Sequence, residues 1–175
     1  VDARTPWYRD WMMLATLITS VAADQITKLV VKTSLVLGES WPIDGFFRIT
    51  YGTNSGSIFG LFQDHTLILT IASIFAIGFV IYYYHAQSVR PPLTRFTVGL
   101  LLGGALGNLV DRLRMGEVVD FIDVGPWPVF NLADSSIVVG MVLLVTSVLL
   151  IGGDSINDEH VDADVNADIS PEGQP

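Results

Sequence analysis

Residues Gly103 to Ser135 read GGALGNLVDRLRMGEVVDFIDVGPWPVFNLADS and lie between two long apolar runs. Within them stand Asn108, Asp111, Arg112, Asp120, Asp123, Asn131 and Asp134. Charges at or near bilayer depth are expensive, so they persist where they are paired or perform a function. Two carboxylates, Asp120 and Asp134, bracket the end of one apolar run and the start of the next. The rest of the chain reads as the frame that holds them.

Outward from this stretch, four runs are long enough to span a bilayer, which takes about 20 mostly apolar residues. The first runs from Trp11 to about Val31 and carries Asp24 and Lys28 in its second half. Thr66 to Tyr84 is uncharged and ends in a Tyr triplet suited to the interface. Thr94 to about Leu113 is apolar until Asn108. Ser135 to Gly153 is again uncharged. Four spans place both termini on one side. The end of helix 1, the end of helix 3 and the start of helix 4 then share the other side, an arrangement that suits one shared site.

Between helices 1 and 2, the connection from Ser34 to His65 is too long for a plain turn. Phe46 to Tyr51 has strand composition and is bracketed by Gly45 and Gly52. Ser57 to Gln63 (SIFGLFQ) suits a short apolar helix lying in the interface. The loop from His85 to Leu93, with Pro91 and Pro92, is expected to be short and irregular. The expected fold is therefore an all-α membrane protein. It has four transmembrane helices, with a small extracytoplasmic β-sheet and an interfacial helix between helices 1 and 2.

Composition agrees and excludes. Half of the 175 residues are hydrophobic, and there is no cysteine. Disulfide scaffolds, thiolate metal sites and cysteine nucleophiles are thereby ruled out. Of the eighteen acids, seven lie between Asp154 and Glu172 with no Lys or Arg among them, which leaves eleven acids against nine bases. Residues 1–153 are expected to form one near-neutral unit, and 154–175 an acidic, solvated, disordered tail. No basic patch points to nucleic acid. A cleavable signal peptide is not expected, because Asp24 and Lys28 follow the first apolar run with no small-residue cleavage motif. Lys and Arg are spread over both sides, so orientation by charge is nearly even. Discounting Lys28 and Arg112 as site charges slightly favours both termini inside.

Several groups carry chemistry. Asp24 and Lys28, four apart, share a helix face and can pair. Asn108, Asp111 and Arg112 share another face, where Arg112 can neutralise a nearby carboxylate through two parallel hydrogen bonds. Gly103, Gly104 and Gly107 permit close helix packing. Asp120 and Asp134, at adjacent helix ends, can share one proton, so that one activates water while the other polarises a carbonyl. Asn131 and Asp134 also suit a helix cap. Asp123 reads as a solvated loop acid. Zinc chemistry lacks its HExxH, and the three histidines lie at run edges or in the tail. A Ser-Lys pair of Ser57 and Lys28 is the weakest option.

In order along the chain stand Asp24-Gln25-Ile26-Thr27-Lys28, Asn54-Ser55-Gly56-Ser57-Ile58-Phe59, Gly107-Asn108-Leu109-Val110-Asp111-Arg112, Val118-Val119-Asp120-Phe121 and Phe130-Asn131-Leu132-Ala133-Asp134. These five boxes resemble the DxxTK, NxGxxF, GNxxDR, VVDF and FNxAD boxes of the lipoprotein signal peptidase (signal peptidase II) family. Ser57-Ile58 departs from a pair of alanines common there. The resemblance implies an intramembrane aspartyl endopeptidase that removes the signal peptide of bacterial prolipoproteins, cutting before a diacylglyceryl-modified cysteine. It implies Asp120 and Asp134 as the catalytic pair. Asn54 and Gly56 in the second box, with Asn108, Arg112 and Asn131, would position substrate or orient the pair. Asp24, Lys28 and Asp111 would support the fold. It also implies no metal or cofactor, inhibition by globomycin, and a multi-pass protein of the cytoplasmic membrane. That protein is expected to act as a monomer, with cytoplasmic termini and a site toward the outer leaflet. A proton-coupled transporter or channel subunit is the alternative. It fits less well, because the charges gather at one end and no inverted repeat is visible.

Overall fold

The computed structural model describes residues 6–55 and 66–149. Gly56, Ser57, the expected interfacial helix and the acidic tail fall outside the described residues. Among the described residues, four helices are long and apolar enough to cross a membrane: α1 (Trp11–Ser34), α2 (Thr66–Ala86), α3 (Pro92–Met115) and α4 (Leu132–Leu149). The described residues also hold three strands: β1 (Ser40–Trp41), β2 (Arg48–Asn54) and β3 (Val118–Asp123). They form one antiparallel sheet in the order β1-β2-β3. Only β1 and β2 lie between helices 1 and 2 as expected. The third strand comes from the connection between α3 and α4, where a loop was expected to follow helix 3.

Spanning a membrane requires that each segment satisfy its own backbone, which the helix does. Helix boundaries exceed the apolar runs by a few residues because caps set them. Asp10 caps α1 by accepting the Met13 N–H at 3.2 Å. Pro92 opens α3, where a missing N–H costs nothing. Gly116 closes α3 in the left-handed region, with φ 78°, so the chain turns at once into β3.

α3 is the central helix. It packs on α1 and α2, and Val98 and Leu102 join Met13 and Tyr84 in the buried core. Gly104 allows α4 to touch it: a Cβ there would stand 2.4 Å from the Ala133 carbonyl oxygen. Most of α2 and α4 presents large apolar side chains outward, such as Phe75, Phe79, Val142 and Leu149. Such faces suit lipid.

At the end nearer the termini, a polar cluster joins three helices. Asp10 pairs with Arg95 at 2.6 Å and accepts from the Tyr84 hydroxyl, while Arg90 stacks over the Tyr84 ring at 4.4 Å. Burial works to raise the Asp10 carboxyl, but the Arg95 and Tyr84 hydrogen bonds outweigh it and hold it at about 2. Arg90 and Arg95 are 2% and 8% exposed. They are internal charges, and like Lys28 they carry little weight in a count of flanking Lys and Arg.

β2 contains the decisive irregularity. Ile49 pairs with Ile122 and Gly52 with Asp120, so Thr50 and Tyr51 stand opposite Phe121 alone. This bulge reverses the facing of β2. Before it, Arg48 lies beside Asp123; after it, Asn54 lies opposite Val118, on the Asp120 face.

Candidate active site

Asp120 sits within β3 and Asp134 in the first turn of α4. The expectation of two carboxylates at adjacent helix ends is thus corrected for Asp120, which a strand holds. Asp120 is 4% exposed. Its two oxygens accept from Asn131 Nδ2 at 2.6 Å and Asn54 Nδ2 at 3.0 Å. Burial, then the neighbouring Asp134 charge, pushes the Asp120 carboxyl up to about 6, against the two amides, which favour its ionised form.

Asn131 joins the two carboxylates. Its side-chain amide donates to Asp120, while its side-chain oxygen accepts the Asp134 N–H at 2.9 Å. Asp134 Oδ2 reaches back to the Asn131 N–H at 3.3 Å. This reciprocal cap explains why α4 starts here. Capping and chemistry therefore use the same residues, and the two sequence readings of Asn131 and Asp134 are compatible. The other Asp134 oxygen accepts from Asn108 Nδ2 at 2.7 Å.

Beneath the pair lies its support. Lys28 Nζ meets Asp24 at 2.8 Å, Asp111 at 2.7 Å and the Asn108 side-chain oxygen at 3.1 Å. An ammonium has three protons, so these partners use them all. Asp24 also accepts the Ala133 N–H at 3.0 Å, tying α1 to the first turn of α4. Gly107 is required here, because a Cβ would stand 2.6 Å from Asp24 Oδ2. From Asp24 to Asn54, one hydrogen-bonded chain crosses α1, α3, α4 and the sheet.

Two expectations change. Asp111 pairs with Lys28 from α1, whereas Arg112 donates to Ser73 Oγ of α2 at 3.2 Å. Neighbouring positions on a helix point about 100° apart, so Asp111 faces α1 and Arg112 faces α2. Arg112 still feels the charges of Asp134 and Asp120. Asp123 is no solvated loop acid: it is 4% exposed, pairs with Arg48 at 2.7 Å and accepts from Thr50 at 2.8 Å. The Thr50 hydrogen bond leads the interactions that hold its carboxyl below the ordinary range. Three residues from Asp120 on a strand, it faces the opposite side.

Gln25 went unremarked in the sequence, yet its amide donates to Gly107 O at 3.2 Å and Asp111 at 2.9 Å. Its place between Asp24 and Lys28 was the available signal. Among the described residues, no three His, Cys, Asp or Glu side chains converge as metal ligands would.

Residues 16–150 match the family described as Signal peptidase (SPase) II. A lipoprotein signal peptidase of Moorella thermoacetica is 41% identical over 145 residues, 82% of this chain and 95% of that protein. One from Desulfitobacterium hafniense is 46% identical over 131 residues, 74% of this chain and 87% of its own. A solved bacterial membrane enzyme superposes with a TM-score of 0.77 at 29% identity, covering 83% of this chain and 92% of that one.

Proposed function

This chain belongs to the signal peptidase II family, a multi-pass membrane peptidase, and on that premise we propose that it removes signal peptides from bacterial prolipoproteins through the Asp120–Asp134 pair. The observation that carries the assignment is Asn131, whose side-chain amide donates to the Asp120 carboxylate while its backbone N–H donates to the Asp134 carboxylate. Two neighbouring carboxyls share a proton, and the pair titrates as a unit.

The ionised member takes a proton from water, and the water oxygen bonds to the scissile carbonyl carbon. The protonated member gives its proton to the carbonyl oxygen. When the resulting diol collapses, the C–N bond breaks and one hydroxyl returns a proton to the pair. The pair passes a proton to the leaving nitrogen and ends with the single proton it began with. Asn54, Asn108 and Asn131 fix the carboxylates before substrate arrives, which removes reorganisation from the barrier. Arg112 contributes positive charge beside the pair.

The substrate in this reading is a prolipoprotein cut before its diacylglyceryl-modified cysteine. The unit is residues 1–153 in the cytoplasmic membrane, acting as a monomer, with the tail and both termini cytoplasmic and the site toward the outer leaflet. Gly56, by its place in the box that resembles NxGxxF, would help to position the substrate. A gel-shift assay with lipid-modified and unmodified prolipoprotein tests it. Cleavage of the modified substrate alone, blocked by globomycin, is expected. Intact modified substrate beside folded protein would remove the proposal and turn attention to proton flux in liposomes.

A further inference from the structure

A groove of about 530 Å³ lies between the C-terminal halves of α1 and α3. Its floor is Lys28 and Asp111, and its apolar wall is Ala22, Ile26 and Leu29. Lys32 and Arg114 line it from the final turn of each helix. Ile26 and Leu29 are each 61% exposed, so this wall faces lipid.

The charges in this groove are unequally matched. Lys28 is consumed by Asp24 and Asp111, a trio with one formal negative charge left over, which the two cations of Lys32 and Arg114 exceed. Lys32 Nζ contacts the Met115 sulfur at 2.9 Å, a weak acceptor. No carboxylate lies within ion-pair distance of Lys32 or Arg114 among the described residues. The two helix C-termini contribute only partial negative charge, about half a unit each. Two full positive charges therefore stand above an apolar wall at the membrane boundary, an arrangement that matches a phosphodiester above acyl chains.

We infer that this groove is a binding site for one anionic phospholipid, with its phosphate between Lys32 and Arg114 and an acyl chain along Ala22, Ile26 and Leu29. The site lies behind the Lys28–Asp111 wall, and its occupant is distinct from the peptide being cut. The wall also explains why a lipid is favoured over a free anion: a soluble phosphate gains the charges but nothing from the apolar surface.

The test uses the full chain in detergent, incubated with equal amounts of phosphatidylglycerol and phosphatidylcholine and examined by native mass spectrometry. One retained phosphatidylglycerol is expected. Lys32→Gln and Arg114→Gln are each expected to lower its retention about fivefold. Arg9→Gln removes an equal, exposed charge at the far end and is expected to change nothing. Ala22→Trp fills the wall and is expected to release the lipid with the charges intact. Equal retention of both lipids, or an equal loss with Arg9→Gln, overturns the site. Displacement by inorganic phosphate overturns the lipid assignment.

Discussion

Replacing Lys28 with Met keeps the length of the side chain and removes its charge. The structure then leaves two carboxylates facing each other in the interior, Asp24 at 0% and Asp111 at 2% exposure. Each keeps some partners. Asp24 retains Gln25 at 3.2 Å and the Ala133 N–H, and Asp111 retains Gln25 at 2.9 Å. Neither keeps a cation. Removing one partner of a buried pair costs about 3–5 kcal/mol. Against a total stability of about 5–15 kcal/mol, that is a large fraction. For a chain of this size it corresponds to a fall of about 6–20 °C in Tm. Thermal unfolding in detergent, followed by tryptophan fluorescence, measures it. Lys28→Met with Asp111→Asn removes one of the two stranded charges and is expected to recover part of the loss. A Lys28→Met protein that melts within a degree or two of wild type would refute this reasoning, as would a double variant no more stable than the single.

The remaining predictions concern the pair and its surroundings. Burial and the Asp134 charge hold the Asp120 carboxyl up at about 6, and the pair's single proton is lost as pH rises, so kcat/KM of the free enzyme is expected to decline on that side. Asn54→Leu removes an amide that favours ionised Asp120, so the decline moves to higher pH, by about one unit; an unmoved or acid-shifted profile contradicts the role given to Asn54. Gly104→Ala drives a methyl into the Ala133 carbonyl and displaces the first turn of α4. It is expected to cost about 1–3 kcal/mol in denaturant titration and most of the cleavage rate. Asp123→Asn breaks the Arg48 pair on the opposite face of β3, so substantial cleavage activity is expected to remain. The depressed Asp123 carboxyl contributes stability that is present at neutral pH and lost only as pH falls through the ordinary carboxylate range and below. Acid melting curves of the variant would show a smaller loss over that window.

The four helices were legible because a membrane leaves a long apolar segment few alternatives. Asp120, Asp134 and their asparagines were legible as motifs, and the structure brings Asn54, Asn108 and Asn131 to the two carboxylates. Partner choice was not legible. Local spacing linked Asp111 to Arg112, but the choice between α1 and α2 depends on how three helices pack around α3. Asp123 looked like a loop acid because nothing local announces that β3 pairs with a strand some seventy residues earlier. The bulge in β2 was equally hidden, although it alone turns Asn54 toward Asp120. Asp10 stood before the first apolar run, a position typical of a helix cap, and that signal was available. Its pairing with Arg95 was not.

The central claim is that Asp120 and Asp134 together perform the hydrolysis, and single-turnover cleavage by Asp120→Asn and Asp134→Asn tests it most directly. Both variants are to be compared with wild type on the same lipid-modified prolipoprotein, with melting curves to establish that each is folded. The account predicts folded proteins that leave the substrate intact in both cases. Cleavage at the wild-type rate by either folded variant would contradict it and take that aspartate out of the reaction.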